Sequence, residues 1–292
     1  MSPQLQPPAA ATPAATAGTL PRGWLYFTLI VALLFVLMPF LFWQSTWFGR
    51  PLSDAQIESN LADREHPRKA QHALSQIADR IASQNPALRA SARRWYPQVV
   101  ALSSSSVDEI RLTAAWVMGQ DNTVAEFHQA LLRLLGDPHP MVQRNAALSL
   151  VRFGDPAARP MILAMLEPYA VQAPRAGTLT ERLKAGDVVN PGTLLGRIQS
   201  GEEKTEIRSQ VPGTLDRWRV TSGATVAPGQ PVVSITPTAE VVWEALRALY
   251  LTGQPEDLPA IERYARGAVG LPDRVRLQAR NTADAIRARS AR

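Results

Sequence analysis

At 292 residues the chain has room for about two domains. It contains no cysteine, which excludes disulfides, thiol nucleophiles, cysteine-bound zinc and iron–sulfur clusters. Lys and Arg (31) outnumber Asp and Glu (25) to give a net charge of +6, a balance that suits an anionic membrane surface, an acidic partner, nucleic acid or an arginine-rich solvated surface.

Residues 1–22 are rich in Ala, Pro and Thr, have nothing to bury, and are predicted to be disordered. No charge interrupts Gly23 to Gly49. As a helix, Trp24 to Trp43 would rise about 29 Å, near the thickness of a bilayer core. Trp24 and Tyr26 mark one end of this stretch and Trp43 and Trp47 the other, in the manner of interfacial aromatic belts. The run is too long for a signal-peptide apolar region, and Gln44-Ser45-Thr46-Trp47 is no small-residue cleavage site. The expectation is an uncleaved transmembrane helix over 23–48, single-pass. Arg22 and Arg50 nearly tie as orientation signals. A short leading segment and a large following domain favour a bacterial inner membrane protein with its C-terminal domains in the periplasm.

Residues 51–168 carry helical periodicity: Leu74, Ile77, Ala78 and Ile81, then Leu131, Leu132 and Leu135. Breaks fall at Asn85-Pro86, Ser103–Ser106, Gly136-Asp137-Pro138 and Gly154-Asp155-Pro156. An Asp-Pro pair suits a helix junction, because Asp caps and Pro fits the first turn. Ile110-Arg111-Leu112-Thr113-Ala114-Ala115-Trp116 is echoed by Val142-Gln143-Arg144-Asn145-Ala146-Ala147-Leu148. This stretch resembles HEAT repeats of the short kind found in phycobilisome-lyase-like proteins. The resemblance implies an α-solenoid with an extended binding surface.

Residues 169–238 alternate and are punctuated by turns. Ala176-Gly177-Thr178-Leu179 recurs as Pro212-Gly213-Thr214-Leu215, and the spacing Gly186–Gly192–Ile198 recurs as Gly223–Gly229–Ile235. Two copies of a hairpin unit fit two interlocked small sheets. With Glu206-Ile207-Arg208-Ser209-Gln210-Val211-Pro212-Gly213, the segment resembles the biotinyl/lipoyl-type barrel-sandwich domain of cofactor carriers and HlyD-type membrane-fusion adaptors. In carriers of that family a lysine four residues before the conserved glutamate accepts the cofactor. Here that position is Glu202, which cannot form the amide, and Lys204 is displaced by two. No bound cofactor is expected. Adaptors insert a long helical hairpin between the halves, whereas only Gln199 to Arg208 separates them here.

Helical periodicity resumes over 239–292 with Trp243, Leu246, Leu249 and Tyr250, then Leu258–Ala265 and Val275–Ile286. The β segment is therefore either inserted into one solenoid or clamped beside it. Arg263, Arg266, Arg274, Arg276, Arg280 and Arg287 form a candidate face for carboxylates or phosphates.

Catalytic patterns are absent. His66, His72, His128 and His139 show no paired ligand spacing, and no metal site is expected. No nucleophile elbow, phosphate loop or dinucleotide fingerprint occurs. Glu202 and Glu203 sit where both should be solvated, and Ser103–Ser106 reads as a loop. The fold class is α + β multidomain: one transmembrane helix, a HEAT-like α-solenoid, and a small all-β domain before the last helices. The function expected is a non-enzymatic, membrane-anchored scaffold that binds protein subunits and no nucleic acid. An HlyD-like efflux adaptor and a carrier or cofactor-handling protein are the alternatives.

Overall fold

The structure, a computed structural model, describes residues 22–45, 51–267 and 270–291. It divides into two compact units, 1–51 and 52–292.

In the first unit, α1 spans Arg22–Ser45 and contains Pro39. Its large apolar side chains face outward, among them Trp24, Tyr26, Phe35 and Met38. Thr28 Oγ1 bonds back to the Trp24 carbonyl at 2.9 Å, which satisfies the hydroxyl within the helix. Among the described residues, no helix is long and apolar enough to cross a membrane. The span expected over 23–48 is thus not found among the described residues, and 46–48 lie outside them. Trp43 belongs to α1; Trp47 and residues 1–21 lie outside the described residues.

The second unit begins with paired helices. They are α2 (Asp54–Ala62), α3 (Pro67–Ala82), α4 (Pro86–Ala92), α5 (Tyr96–Leu102), α6 (Asp108–Met118), α7 (Ala125–Leu134), α8 (Pro140–Arg152) and α9 (Arg159–Ala164). After the β segment come α10 (Ala239–Thr252), α11 (Leu258–Ala265) and α12 (Asp273–Ser290). Helices α3, α6, α8, α10 and α12 pack in succession to form an inner row, flanked by α2, α5, α7, α9 and α11. The row is continuous across the β segment, since α10 packs on both α8 and α9. Of the two arrangements left open by the sequence, insertion is the one adopted: the β segment occupies the turn between the two helices of one repeat.

Small residues make the row possible. Ala114, Ala115, Ala146, Ala147, Ala245 and Ala279 are all buried. Gly119 lies where a β-carbon would meet the Ser149 side chain. Hydroxyls stitch neighbouring inner helices: Ser149 Oγ donates to the Ala115 carbonyl at 2.8 Å, and Thr282 Oγ1 to the Leu246 carbonyl at 2.8 Å. One buried core runs through all of these helices from Ile57 to Ile286.

The helix junctions follow the sequence breaks. Asn85 caps α4 through Ala87 N–H at 2.9 Å, and Asp155 takes the Ala157 N–H at 2.8 Å. Asp137 does something different. It accepts from Arg111 Nε at 2.6 Å and Arg111 Nη2 at 3.0 Å, as well as from His139 N–H at 2.8 Å. The α8 cap itself is the His139 ring, whose Nδ1 takes the Met141 N–H at 3.3 Å.

The β segment forms two four-stranded sheets from β1 (Tyr169–Gln172), β2 (Gly177–Glu181), β3 (Val188–Val189), β4 (Leu194–Ser200), β5 (Glu203–Arg208), β6 (Gly213–Trp218), β7 (Thr225–Val226) and β8 (Pro231–Pro237). The strand orders are β1-β8-β6-β3 and β5-β4-β2-β7. Exchanging β1 to β4 with β5 to β8 turns one sheet into the other, so the sequence duplication is a structural one. Its hydrogen bonds duplicate too. Gly186 N–H donates to Leu215 O (2.8 Å) as Gly223 N–H does to Leu179 O (2.7 Å). Gly192 N–H donates to Ser209 O (2.7 Å) as Gly229 N–H does to Ala173 O (2.8 Å). Leu179, Ile198, Leu215, Ile235 and their neighbours make a separate core, against which Met141 of α8 packs.

Candidate functional site

The hairpin joining the two halves of the β domain holds the residues singled out in sequence. Ser200 pairs with Glu203, leaving Gly201 and Glu202 as the two-residue tip. Gly201 has φ +62, and among the described residues no non-glycine has positive φ. The tip is therefore a type II′ turn, with glycine required at its first corner. Glu202 takes the second corner and is exposed. Lys204 is not at the tip; it lies within β5 opposite Gln199, also exposed. Glu203 pairs with Arg175, which holds its carboxyl below the ordinary glutamate value. Glu206 is bound by Arg208 at 2.5 Å and faces Arg197 at 3.4 Å, and the Arg208 contact likewise lowers it. The hairpin is a laced strand pair with a carboxylate at its apex.

The C-terminal arginines are mostly engaged by the chain itself. Arg263 binds Glu167 at 2.7 Å, and Arg274 binds Glu240 at 2.5 Å. Arg276 binds Asp273 at 2.6 Å. Glu262 is shared by Arg287 at 2.5 Å and Arg266 at 3.8 Å. Arg280 alone of the six has no acidic partner among the described residues. Arg263 also reaches the Leu166 carbonyl, as does the Tyr264 hydroxyl at 2.6 Å. These bonds join segments on either side of the β insertion. Five of the six candidates are thus engaged by acidic side chains of the chain itself.

The histidines stay apart. His66 bonds Asp63 at 3.1 Å, His128 bonds Asp155 at 2.6 Å, and His139 faces Asp108 at 3.4 Å. His72 is buried in α3, where burial lowers its basicity. Among the described residues, no group of acidic and histidine side chains could hold a metal. Ser103–Ser106 forms the α5–α6 loop, with Ser103 Oγ bonded to the Val100 carbonyl at 2.6 Å.

Sequence reasoning missed two features. Arg144 of α8 is 5% exposed and, among the described residues, its hydrogen-bond contact is with Met141 Sδ, at 3.8 Å. Burial pushes its basicity down, and Tyr169 of β1 partly restores it. Its place in the Val142–Leu148 echo marks it as an inner-helix residue and says nothing of the β domain beside it. The second feature is a groove of about 430 Å³ whose lining includes Arg89, Arg93, Tyr96, Gln120, Asp121 and Thr123. The four-residue spacing of Arg89 and Arg93 was the available signal.

Comparison with known proteins gives one family: HEAT repeats match residues 96–175, from the start of α5 to just beyond β1. No curated protein matches the chain. A solved structure described as a single-chain, multi-domain long-chain acyl-CoA carboxylase is similar at 22% identity and a TM-score of 0.24. The match covers 34% of this chain and 10% of that one. The chain thus spans about a tenth of that protein, and a likeness so slight bears no weight on fold or activity. HEAT repeats are thus present within residues 96–175.

Proposed function

We propose that the protein is a non-enzymatic, membrane-associated scaffold in which a HEAT solenoid presents an inserted barrel-sandwich domain of biotinyl/lipoyl type to partner subunits. The observation that carries this reading is the insertion itself. The β domain interrupts the turn of one repeat without interrupting the inner row of helices, so the solenoid serves as a rigid mount. Helix-pair solenoids act chiefly through extended contact surfaces.

The hairpin tip supports contact over chemistry. Glu202 at the apex has no amine to carry biotin or lipoate, and Lys204 sits in the strand. The short β4–β5 connection leaves no room for the helical hairpin of an HlyD-type adaptor. The outward apolar side chains of α1 suit burial in lipid. In this reading the C-terminal unit lies on the periplasmic side of a bacterial inner membrane.

Cross-linking in intact cells, followed by purification of the full chain in detergent, tests the scaffold. A stoichiometric protein partner is expected, and recovery of the chain alone would overturn the reading. Carbonate extraction tests the membrane association separately: release into the supernatant would remove it. A C-terminal reporter active only outside the cytoplasm tests the orientation.

A further inference from the structure

The groove beside α4 is bordered by two exposed arginines of the solenoid. Arg80, Arg111 and Arg159 each hold an aspartate, at 2.6, 2.6 and 2.7 Å. Arg89 and Arg93 are exposed and hold no acid within ion-pair distance among the described residues. They lie four residues apart along one helical path, about 6 Å between β-carbons. Ile81, Pro86 and Ala90 supply an aliphatic wall, and the α6–α7 loop supplies Gln120, Asp121 and Thr123 opposite.

Asp121 faces Arg93 across the groove, which helps hold its carboxyl below the ordinary value, and is also engaged by its neighbours. It accepts from Thr123 Oγ1 at 2.6 Å, Thr123 N–H at 3.1 Å and Tyr96 Oη at 2.8 Å. Burial and the Asp121 contact push the Tyr96 hydroxyl up, so it remains a donor at neutral pH. Two guanidinium groups thus border a cleft of about 430 Å³ whose single carboxylate, Asp121, already accepts three hydrogen bonds. Guanidinium forks match carboxylates in a bidentate way. The aliphatic wall matches side-chain methylenes, and the volume falls in the range that holds a small ligand.

We propose that this groove binds an acidic peptide segment of a partner protein, with Arg89 and Arg93 holding its carboxylates. The proposal deepens the scaffold reading and rests on it, by naming where one partner docks and what chemistry docks there.

The test is fluorescence anisotropy on the full chain in detergent. The probe is a short fluorescein-labelled peptide of glutamate, leucine and alanine; the comparison peptide has glutamine in place of glutamate. The glutamate peptide should bind at least tenfold more tightly, and the double variant R89Q/R93Q should lose that preference. The variant R266Q, on an arginine outside the groove, should keep it. Equal binding of the two peptides, an unchanged R89Q/R93Q, or displacement by inorganic phosphate at concentrations comparable to the peptide's would overturn the proposal. Both arginines are exposed, so circular dichroism of R89Q/R93Q should match wild type, which separates lost binding from lost fold. The cross-linking experiment judges the scaffold on its own: a partner still captured by R89Q/R93Q would retain the scaffold and refute this groove as its dock.

Discussion

Arg159 and Asp257, on either side of the inserted β domain in sequence, form a side-on ion pair, with Nε to Oδ2 at 2.8 Å and Nη2 to Oδ1 at 2.7 Å. Asp257 is 2% exposed and also accepts the Gln254 N–H at 2.8 Å. The pair ties α9 to the turn before α11. Breaking a buried pair leaves its partner's charge uncompensated, at a cost of about 3–5 kcal/mol. Arg159→Met should therefore destabilise by roughly that amount in urea unfolding. Arg276→Met, which loses only an exposed pair with Asp273, should change stability by less than about 1 kcal/mol.

The β domain should be removable. Tyr169 and Ile235 are paired neighbours on adjacent strands, so the insertion enters and leaves at nearly one point. Replacing residues 169–237 by a short Gly-Ser turn closes a small gap at little entropic cost. The shortened chain should keep helical circular dichroism and a cooperative melt. Loss of both would mean that the helices before and after the insertion depend on the β domain.

The duplication predicts matched weak points. A β-carbon on Gly213 would meet the Thr236 carbonyl and Ile235, and one on Gly177 would meet the Gln199 carbonyl and Ile198. These are equivalent places in the two halves. Overpacking against backbone costs about 1–3 kcal/mol or more. Gly213→Ala and Gly177→Ala should each do so, and Gly177→Ala the more severely, because its φ of +151 also strains any other residue. Hydrogen exchange should show faster exchange in β2, β4, β6 and β8, while α6 and α8 stay protected. Uniform loosening of the helices would contradict the separate core.

Acid sensitivity should trace to Asp137. Burial raises its carboxyl, but the Arg111 fork and the His139 N–H outweigh burial and hold it below the ordinary value. A depressed folded value means stability that is fully present above the unfolded aspartate pKa of about 4 and is lost as pH falls toward the lower folded value. Asp137→Asn should cost about 3–5 kcal/mol at pH 7. The gap from wild type should shrink below about pH 4, as the carboxylate protonates first in the unfolded chain and only at lower pH in the folded one. A gap that stays constant to pH 2 would assign the effect to packing.

Lys204 should be unmodified. Intact mass of the protein from biotin- and lipoate-replete cells should equal the sequence mass, since the hairpin apex is Glu202. An added biotinyl or lipoyl mass at Lys204 would revive the carrier reading.

Much of this architecture was legible because it rests on local rules. The glycine spacings 186–192–198 and 223–229–235 encode the turns, and those turns form equivalent bonds in the two halves. Asn85-Pro86 and Asp155-Pro156 encode helix starts. What escaped the sequence depends on long-range packing. The echo of 110–116 in 142–148 identifies inner helices, yet nothing local says that α10 continues their row across the insertion. The basic C-terminal segment suggested an open arginine face, but five of its six arginines find carboxylates contributed by α10, α11, α12 or the chain before β1. The groove arginines were overlooked for the opposite reason: Arg89 and Arg93 are ordinary helix-surface residues until Asp121 is brought opposite them from more than one repeat away.

The position of the β domain has a mechanical consequence. A pull along the inner row passes from α8 to α10 through packed side chains and the Arg159–Asp257 tie, and never through a β-strand. The domain hangs as a side branch from an unbroken beam. Tension on its hairpin would load β1 and β8 in parallel at one joint, so the branch could unzip under force while the beam kept its length.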